Sequence, residues 1–314
     1  MSPIRRIDSH PRSPVALQVL QRGYDRPAHA LLPSEGRFRT VFISDLHLGW
    51  RHCRAEELLG FLRDLSTEKL YLVGDVVDEW KLRDDDQVQG IPSSHLDVLS
   101  LLASMAHQGT EVIYVPGNHD DGLRRPGLPA IEPLTIRQDD VHETADGRRL
   151  LVVHGDDHDG LADESARLVR FGVGAYELAL TLNTLFNRLT RRLGLPYRSI
   201  SLPLKQGVKR AMEFVGRYQG ALLDEARRRG LDGVVCGHVH HAALREVDGL
   251  LYANDGDWVE SCTALVEHHD GRLELMQWRD GRLVPLAAGS YAAPPPARWE
   301  EVLPAAARGS VSEY

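Results

Sequence analysis

Five short apolar runs in this 314-residue chain stop at the same kind of residue. "TVFIS" runs into Asp45 and, two residues on, His47; "LYLVG" runs into Asp75; "EVIYVPG" runs into Asn118, His119 and Asp120; "LLVV" runs into His154; "GVVCG" runs into His238 and His240. Each run has the length and composition of a buried strand. In open α/β sheets, sites form in the crevice beyond the carboxyl ends of strands, so five such ends can converge on one point. A single D-x-H pair says little, because Asp often opens a turn and a lone His is more often structural. If the extended conformation persists to residue 47, Asp45 and His47 stand at i and i+2 and point the same way. Gly74, Gly117 and Gly237 sit where a backbone approaching bound ions has little room for a Cβ.

The segments between these runs predict a mixed α/β fold without internal repeats. Helical patterns in "RAEELLGFLRDL" and "SHLDVLSLLASMAH" alternate with the first strands, as in βαβ units. "VHETADGRRLLVVHG" reads as a hairpin turning at Asp146-Gly147, and further D-G turns mark later strands. Residues 1–37, rich in Pro, Arg and Ser, read as a flexible N-terminal arm, and the Pro/Ala-rich residues 281–314 as a tail. Residues 38–154 and 232–280 form the expected core, and 155–231 an inserted helical lid. Within the lid, Leu178, Leu182, Leu185, Phe186, Leu189 and Leu193 repeat as one face of a helix, and Val208, Ala211, Met212, Val215 and Leu222 as another. Residues 165–230 carry 13 Arg/Lys against 4 Asp/Glu, although the whole chain has a net charge of −8. Lys205 and Lys209, four apart, could reach one phosphate together. Asp78, Glu79 and Trp80 read as residues that start or pack the next helix rather than contact substrate.

The net charge argues against wholesale nucleic-acid binding. Cys53, Cys236 and Cys262 are odd in number and lack a C-x-x-C spacing, which points to a reducing compartment rather than a disulfide framework. The N-terminus has no continuous apolar stretch of the signal-peptide kind, and no uncharged apolar run reaches 18 residues. A cytoplasmic location is expected.

Asp45, His47, Asp75, Asn118, His154, His238 and His240 make seven side chains, too many for one ion. They suit two if one carboxylate spreads its oxygens across both, the role assigned to Asp75. Mixed N/O ligation without thiolate favours Mn, Fe or Zn, and a pair of such ions suits in-line displacement at a phosphate ester.

In order, "DLHL", "GD", "GNHD", "HGD" and "GHVH" resemble the D-x-H, G-D, G-N-H-D, H and G-H-x-H blocks of the calcineurin-like metallophosphoesterases, over residues 40–258. That resemblance implies a β-sandwich flanked by helices and two divalent ions, with Mn2+ expected. Asp45, His47, Asp75 and His240 would hold one ion; Asp75, Asn118, His154 and His238 would hold the other. His119 would contact the phosphate and protonate the leaving group, and Asp120 would orient its imidazole. Within the superfamily, "FISDLHLG", "LYLVGDVVDEW" and the long segment between His154 and His238 resemble the UDP-2,3-diacylglucosamine diphosphatases of bacterial lipid A synthesis. The implied substrate is an anionic nucleotide-lipid pyrophosphate, cut to UMP and a lipid sugar phosphate at the inner membrane surface, to which the chain would be peripheral. A phosphodiesterase or monoesterase acting on a soluble substrate, and a non-catalytic metal-dependent binding module, are the alternatives.

Overall fold

The structure, a computed structural model, describes residues 14–26, 38–82, 89–128, 130–158 and 202–286, with the backbone alone over 202–214. Its first sheet opens with β1 (Phe38–Ile43), β2 (Thr67–Val73), β3 (Glu111–Val115) and β4 (Thr135–Ile136), side by side and parallel. The connections are helices α2 (Ala55–Asp64) and α3 (Ser93–His107), and helix α1 (Val15–Tyr24) precedes β1. The second sheet contains β5 (Asp140–Glu143), β6 (Arg149–Val152), β7 (Gly233–Cys236), β8 (Ala243–Val247) and β9 (Leu250–Asn254) in the order β5-β6-β7-β9-β8. Helix α4 (Leu202–Arg228) lies between β6 and β7 in the chain. The last strands, β10 (Thr263–Glu267), β11 (Leu273–Arg279) and β12 (Arg282–Pro285), return antiparallel to the first sheet beside β1.

Alternation along the strands stacks four layers. Phe42, Tyr71, Val73, Ile113 and Val115 of the first sheet meet Leu150, Val152, Val235 and Ala253 of the second. Their chain neighbours Val41, Ile43, Leu70, Leu72 and Tyr114 turn the other way, into a core shared with α1, α2 and α3. Leu151, Val153, Val234 and Cys236 turn outward against Tyr218, Leu222, Leu223 and Ala226 of α4. A strand covered on both faces must be apolar at consecutive positions, which is why these runs stand out in the sequence.

Three expected boundaries are corrected. Part of the 1–37 arm is α1, whose Ala16, Leu17, Val19 and Leu20 are buried in the main core. Gly23 lets this helix close on Leu99, whose side chain an added Cβ would strike. A short amphipathic helix between Pro-rich segments leaves little trace in the composition of the whole arm. The tail begins later than 281, since β12 pairs with β11. The C-terminal half of α4 belongs to the core rather than the lid: Leu222 is part of the stripe that packs on the second sheet. The helical pattern at 178–193 lies outside the described residues. The hairpin at Asp146-Gly147 joins β5 and β6, with Gly147 at φ 88°.

Candidate active site

The parallel strands of both sheets deliver their carboxyl ends to one place. Asp45 and His47 follow β1, Asp75 follows β2, Asn118 and His119 follow β3, His154 follows β6, and His238 and His240 follow β7. Asp45 and His47 do not converge by extended geometry. Both have positive φ, 54° and 50°, as do Asp75 (53°), His238 (69°) and His240 (51°). Five non-glycine residues in the left-handed region within one site mark a backbone held in a costly conformation by its surroundings. The hold is visible: Asp45 N–H donates to Gly74 O (3.0 Å), His47 N–H to Asp75 O (2.9 Å), and His238 N–H to Asp45 Oδ2 (3.0 Å).

Three groups of side chains each bring ligand-type atoms within 4.8 Å of one another: Asp45, His47 and His240; His47, Asp75 and His119; Asp75, His154 and His238. Asp75 divides its carboxylate. Its Oδ1 lies 3.4 Å from His154 Nε2, while its Oδ2 lies 3.9 Å from His47 Nε2. Asp45 Oδ1 stands 3.1 Å from His240 Nε2 and 3.9 Å from His47 Nε2. His154 Nδ1 donates to the Val73 carbonyl (2.8 Å), which leaves its Nε2 lone pair facing inward. His47 Nδ1, 3.2 Å from Asp78 Oδ2, sets its ring the same way.

This donor set fits divalent ions. Asn118 Oδ1 is buried without a hydrogen-bond partner, a cost that a cation would relieve. The backbone is hollowed out around the carboxylates and imidazoles. A Cβ on Gly74 would lie 2.2 Å from His154 Nδ1, on Gly117 2.2 Å from Asp75 Oδ1, and on Gly237 2.6 Å from Asp45 Oδ2. All the titratable donors are carboxylate or imidazole; the three cysteines are buried and free of disulfides.

The calcineurin-like phosphoesterase family pattern matches residues 38–242. The chain belongs to that family. A curated relative named UDP-2,3-diacylglucosamine hydrolase, from Xanthomonas campestris, is 29% identical over 252 residues, covering 74% of this chain and 96% of its own length. The protein of the same name from Edwardsiella ictaluri is 29% identical over 215 residues, 65% of this chain and 77% of its own. That from Escherichia coli is 25% identical over 216 residues, 66% and 84%. Among solved structures, vacuolar protein sorting 29 from Cryptosporidium parvum aligns at a TM-score of 0.39 and 14% identity, over 78% of this chain and 93% of its own.

In this phosphoesterase, Asp120 does not orient His119. Its buried carboxylate accepts hydrogen bonds from Val76 N–H (2.7 Å), Gly117 N–H (2.5 Å) and the Tyr114 hydroxyl (2.5 Å), bracing the loop that carries Asn118. Burial, and then the charge of Asp75, push the Asp120 carboxyl up. The carboxylate beside His119 is Asp78, whose Oδ1 lies 3.1 Å from His119 Nδ1. Asp78 therefore spans two imidazoles, His47 and His119, instead of starting a helix. Burial opposes its ionisation, but the bonds to His119 and His47 outweigh this and hold the carboxyl below the usual range. Trp80 stacks on the His119 ring with centroids 4.0 Å apart. The imidazoles likewise hold Asp45 and Asp75 down against burial, through His240 and His154 respectively.

Other supports carry little sequence signal. Ser44 Oγ lies 2.5 Å from Asp45 Oδ2 and 2.6 Å from Asp255 Oδ1. The Ser44 hydroxyl thus bridges two buried carboxyl groups. Burial pushes the Asp255 carboxyl well above the carboxylate range; the Ser44 bond opposes this and the Asp45 charge adds to it. The Tyr218 hydroxyl reaches the carbonyls of His154 (3.1 Å) and Gly237 (3.2 Å), tying α4 to two ligand-bearing loops. Lys205 and Lys209 lie on the first half of α4, and their side chains are outside the described residues.

Proposed function

We propose that this phosphoester hydrolase works with two divalent metal ions and cleaves the pyrophosphate of a nucleotide-linked diacyl sugar, UDP-2,3-diacylglucosamine. The observation that carries the two-ion reading is the divided Asp75 carboxylate, one oxygen toward His154 and the other toward His47. Asp45, His47, Asp75 and His240 would hold one ion, and Asp75, Asn118, His154 and His238 the other, with Mn2+ the favoured metal. When bound, the ions supply Lewis-acid charge to the phosphoryl oxygens and to the attacking water. His119 lies at the rim of both sets, half-buried, with its Nε2 3.9 Å from Asp75 Oδ2. In this reading His119 gives a proton to the departing oxygen, while Asp78 fixes the ring through Nδ1 and stabilises its charged form. Trp80 closes one face of the ring against solvent.

The substrate reading is supported by the relatives' names and by the basic composition of residues 165–230, which suits a polyanionic ligand at an anionic membrane surface. In this reading attachment to the membrane is peripheral; no helix among the described residues is long and apolar enough to cross one. The test has two measurements. Elemental analysis of purified protein should find two transition-metal ions per chain, and at most one would remove the two-ion reading. The ratio of kcat/KM for the detergent-dispersed diacyl nucleotide sugar over a small chromogenic phosphodiester should strongly favour the lipid. A ratio near or below one would assign the enzyme to soluble esters.

A further inference from the structure

Helix α1 lies outside the family domain, which begins at residue 38, yet its first turn reaches the catalytic loop. The Ala16 N–H donates to Glu79 Oε1 at 2.6 Å. Pro14, which precedes the helix, offers no side-chain cap, so the Glu79 carboxylate serves as the acceptor for an otherwise unpaired first-turn amide. The Gly122 amide bonds the same carboxylate. Contact there is close enough that a Cβ on Gly122 would lie 2.8 Å from both Glu79 oxygens and from Pro14 Cβ. The remainder of α1 is fixed in the core through Ala16, Leu17, Val19 and Leu20.

Glu79 is the middle of three consecutive residues that hold His119. Asp78 meets the ring edge at Nδ1, Trp80 covers the ring face, and the Glu79 N–H donates to the His119 carbonyl at 2.9 Å. The side chain of the middle residue points away from the ring and anchors the tripeptide to α1. We infer that Glu79 is a positioning residue through which α1 sets the Asp78–Trp80 segment against His119, so that a helix outside the family domain is required for full turnover. The inference rests on the reading of His119 as the leaving-group acid.

The experiment measures kcat, KM and metal content for Glu79→Ala, Glu79→Gln, His119→Ala and the double variant Glu79→Ala/His119→Ala, with metal loaded and a phenyl phosphodiester as substrate. Glu79→Ala should lower kcat about tenfold with KM and metal content near wild type. Glu79→Gln, whose amide oxygen still accepts from Ala16, should recover most of that loss. In the His119→Ala background the Glu79→Ala substitution should cost nothing further, because the group it positions is gone. Wild-type kcat in Glu79→Ala, a drop in its metal content, or the same tenfold loss on top of His119→Ala would each overturn the inference. A His119→Ala enzyme of undiminished turnover would instead remove the acid role of His119 and leave the Glu79 contacts without a catalytic purpose. If Glu79→Ala does not fold, Glu79→Asp decides: it keeps the charge but draws the carboxylate back by one methylene from the Ala16 N–H, and a kcat indistinguishable from wild type in that variant overturns the inference.

Discussion

Asp78 places one oxygen on His119 and the other on His47, so a single carboxylate fixes the distance between the proposed acid and a proposed metal ligand. Asp78→Asn can satisfy only one of these imidazoles as an acceptor, and should lower kcat roughly 10- to 100-fold while the melting temperature changes little. Asp120→Asn should behave in the opposite sense. Its carboxylate takes three close bonds from buried donors, and exchanging one oxygen for an amide that cannot accept should cost about 2–4 kcal/mol of stability. Thermal denaturation beside steady-state kinetics on both variants separates the roles; an Asp120→Asn protein of normal stability and crippled turnover would return the orienting role to Asp120. Residue types and strand ends made the candidate ligands legible in the sequence, because a run that stops at a His or Asp is a local pattern. The partner of His119 was not legible. Asp120 is adjacent in sequence and Asp78 is 41 positions away, and only the β2–β3 pairing brings the Asp78 loop beside residue 119.

The elements that carry the site are parallel strands whose turns are tighter than their sequences announce. Gly74 and Gly147 have nearly the same backbone angle, φ 85° and 88°, but different surroundings. A Cβ at Gly147 would meet nothing within 4 Å, whereas at Gly74 it would enter the His154 ring. Gly147→Ala should therefore cost only the left-handed strain, about 1–2 kcal/mol, with full metal content. Gly74→Ala should carry that strain and also displace His154, lowering metal affinity by at least about tenfold in a metal titration. Equal affinities in the two variants would mean that His154 is not required for binding. The same scale explains where sequence reading fell short. Alternation identified the strands and the D-G hairpin, since those signals are local. It missed α1, because a ten-residue helix between Pro-rich segments has its apolar face explained only by Leu99 and its neighbours on α3.

Across the whole molecule, the site depends on two sheets keeping their relative position, since Asp45, Asp75 and Asn118 come from one and His154, His238 and His240 from the other. Glu267 on β10 ties the sheets together at their edge. It is fully buried, accepts from His142 Nε2 on β5 (2.7 Å), from the Ala145 N–H (2.7 Å) and from Arg39 on β1 (2.7 Å), and so joins the first sheet to the β5–β6 hairpin. Burial alone would raise its carboxyl, but the His142 and Ala145 bonds outweigh burial and bring it from 4.5 to about 2. A carboxyl depressed on folding contributes stability above its unfolded value, and that contribution disappears as pH falls from about 4.5 through about 2. Glu267→Gln should accordingly be less stable than wild type at pH 7 by roughly 1–2 kcal/mol, a figure reduced for solvent screening around the Arg39 side of the cluster. The gap should narrow steadily below pH 4.5. Denaturant unfolding of both metal-free proteins from pH 7 to pH 3 measures it, and the difference between them cancels the titration of the groups they share. A gap that stays constant over this range would mean that the cluster holds the sheets by packing of His142 against Phe42 and Tyr71, not by the charge on Glu267.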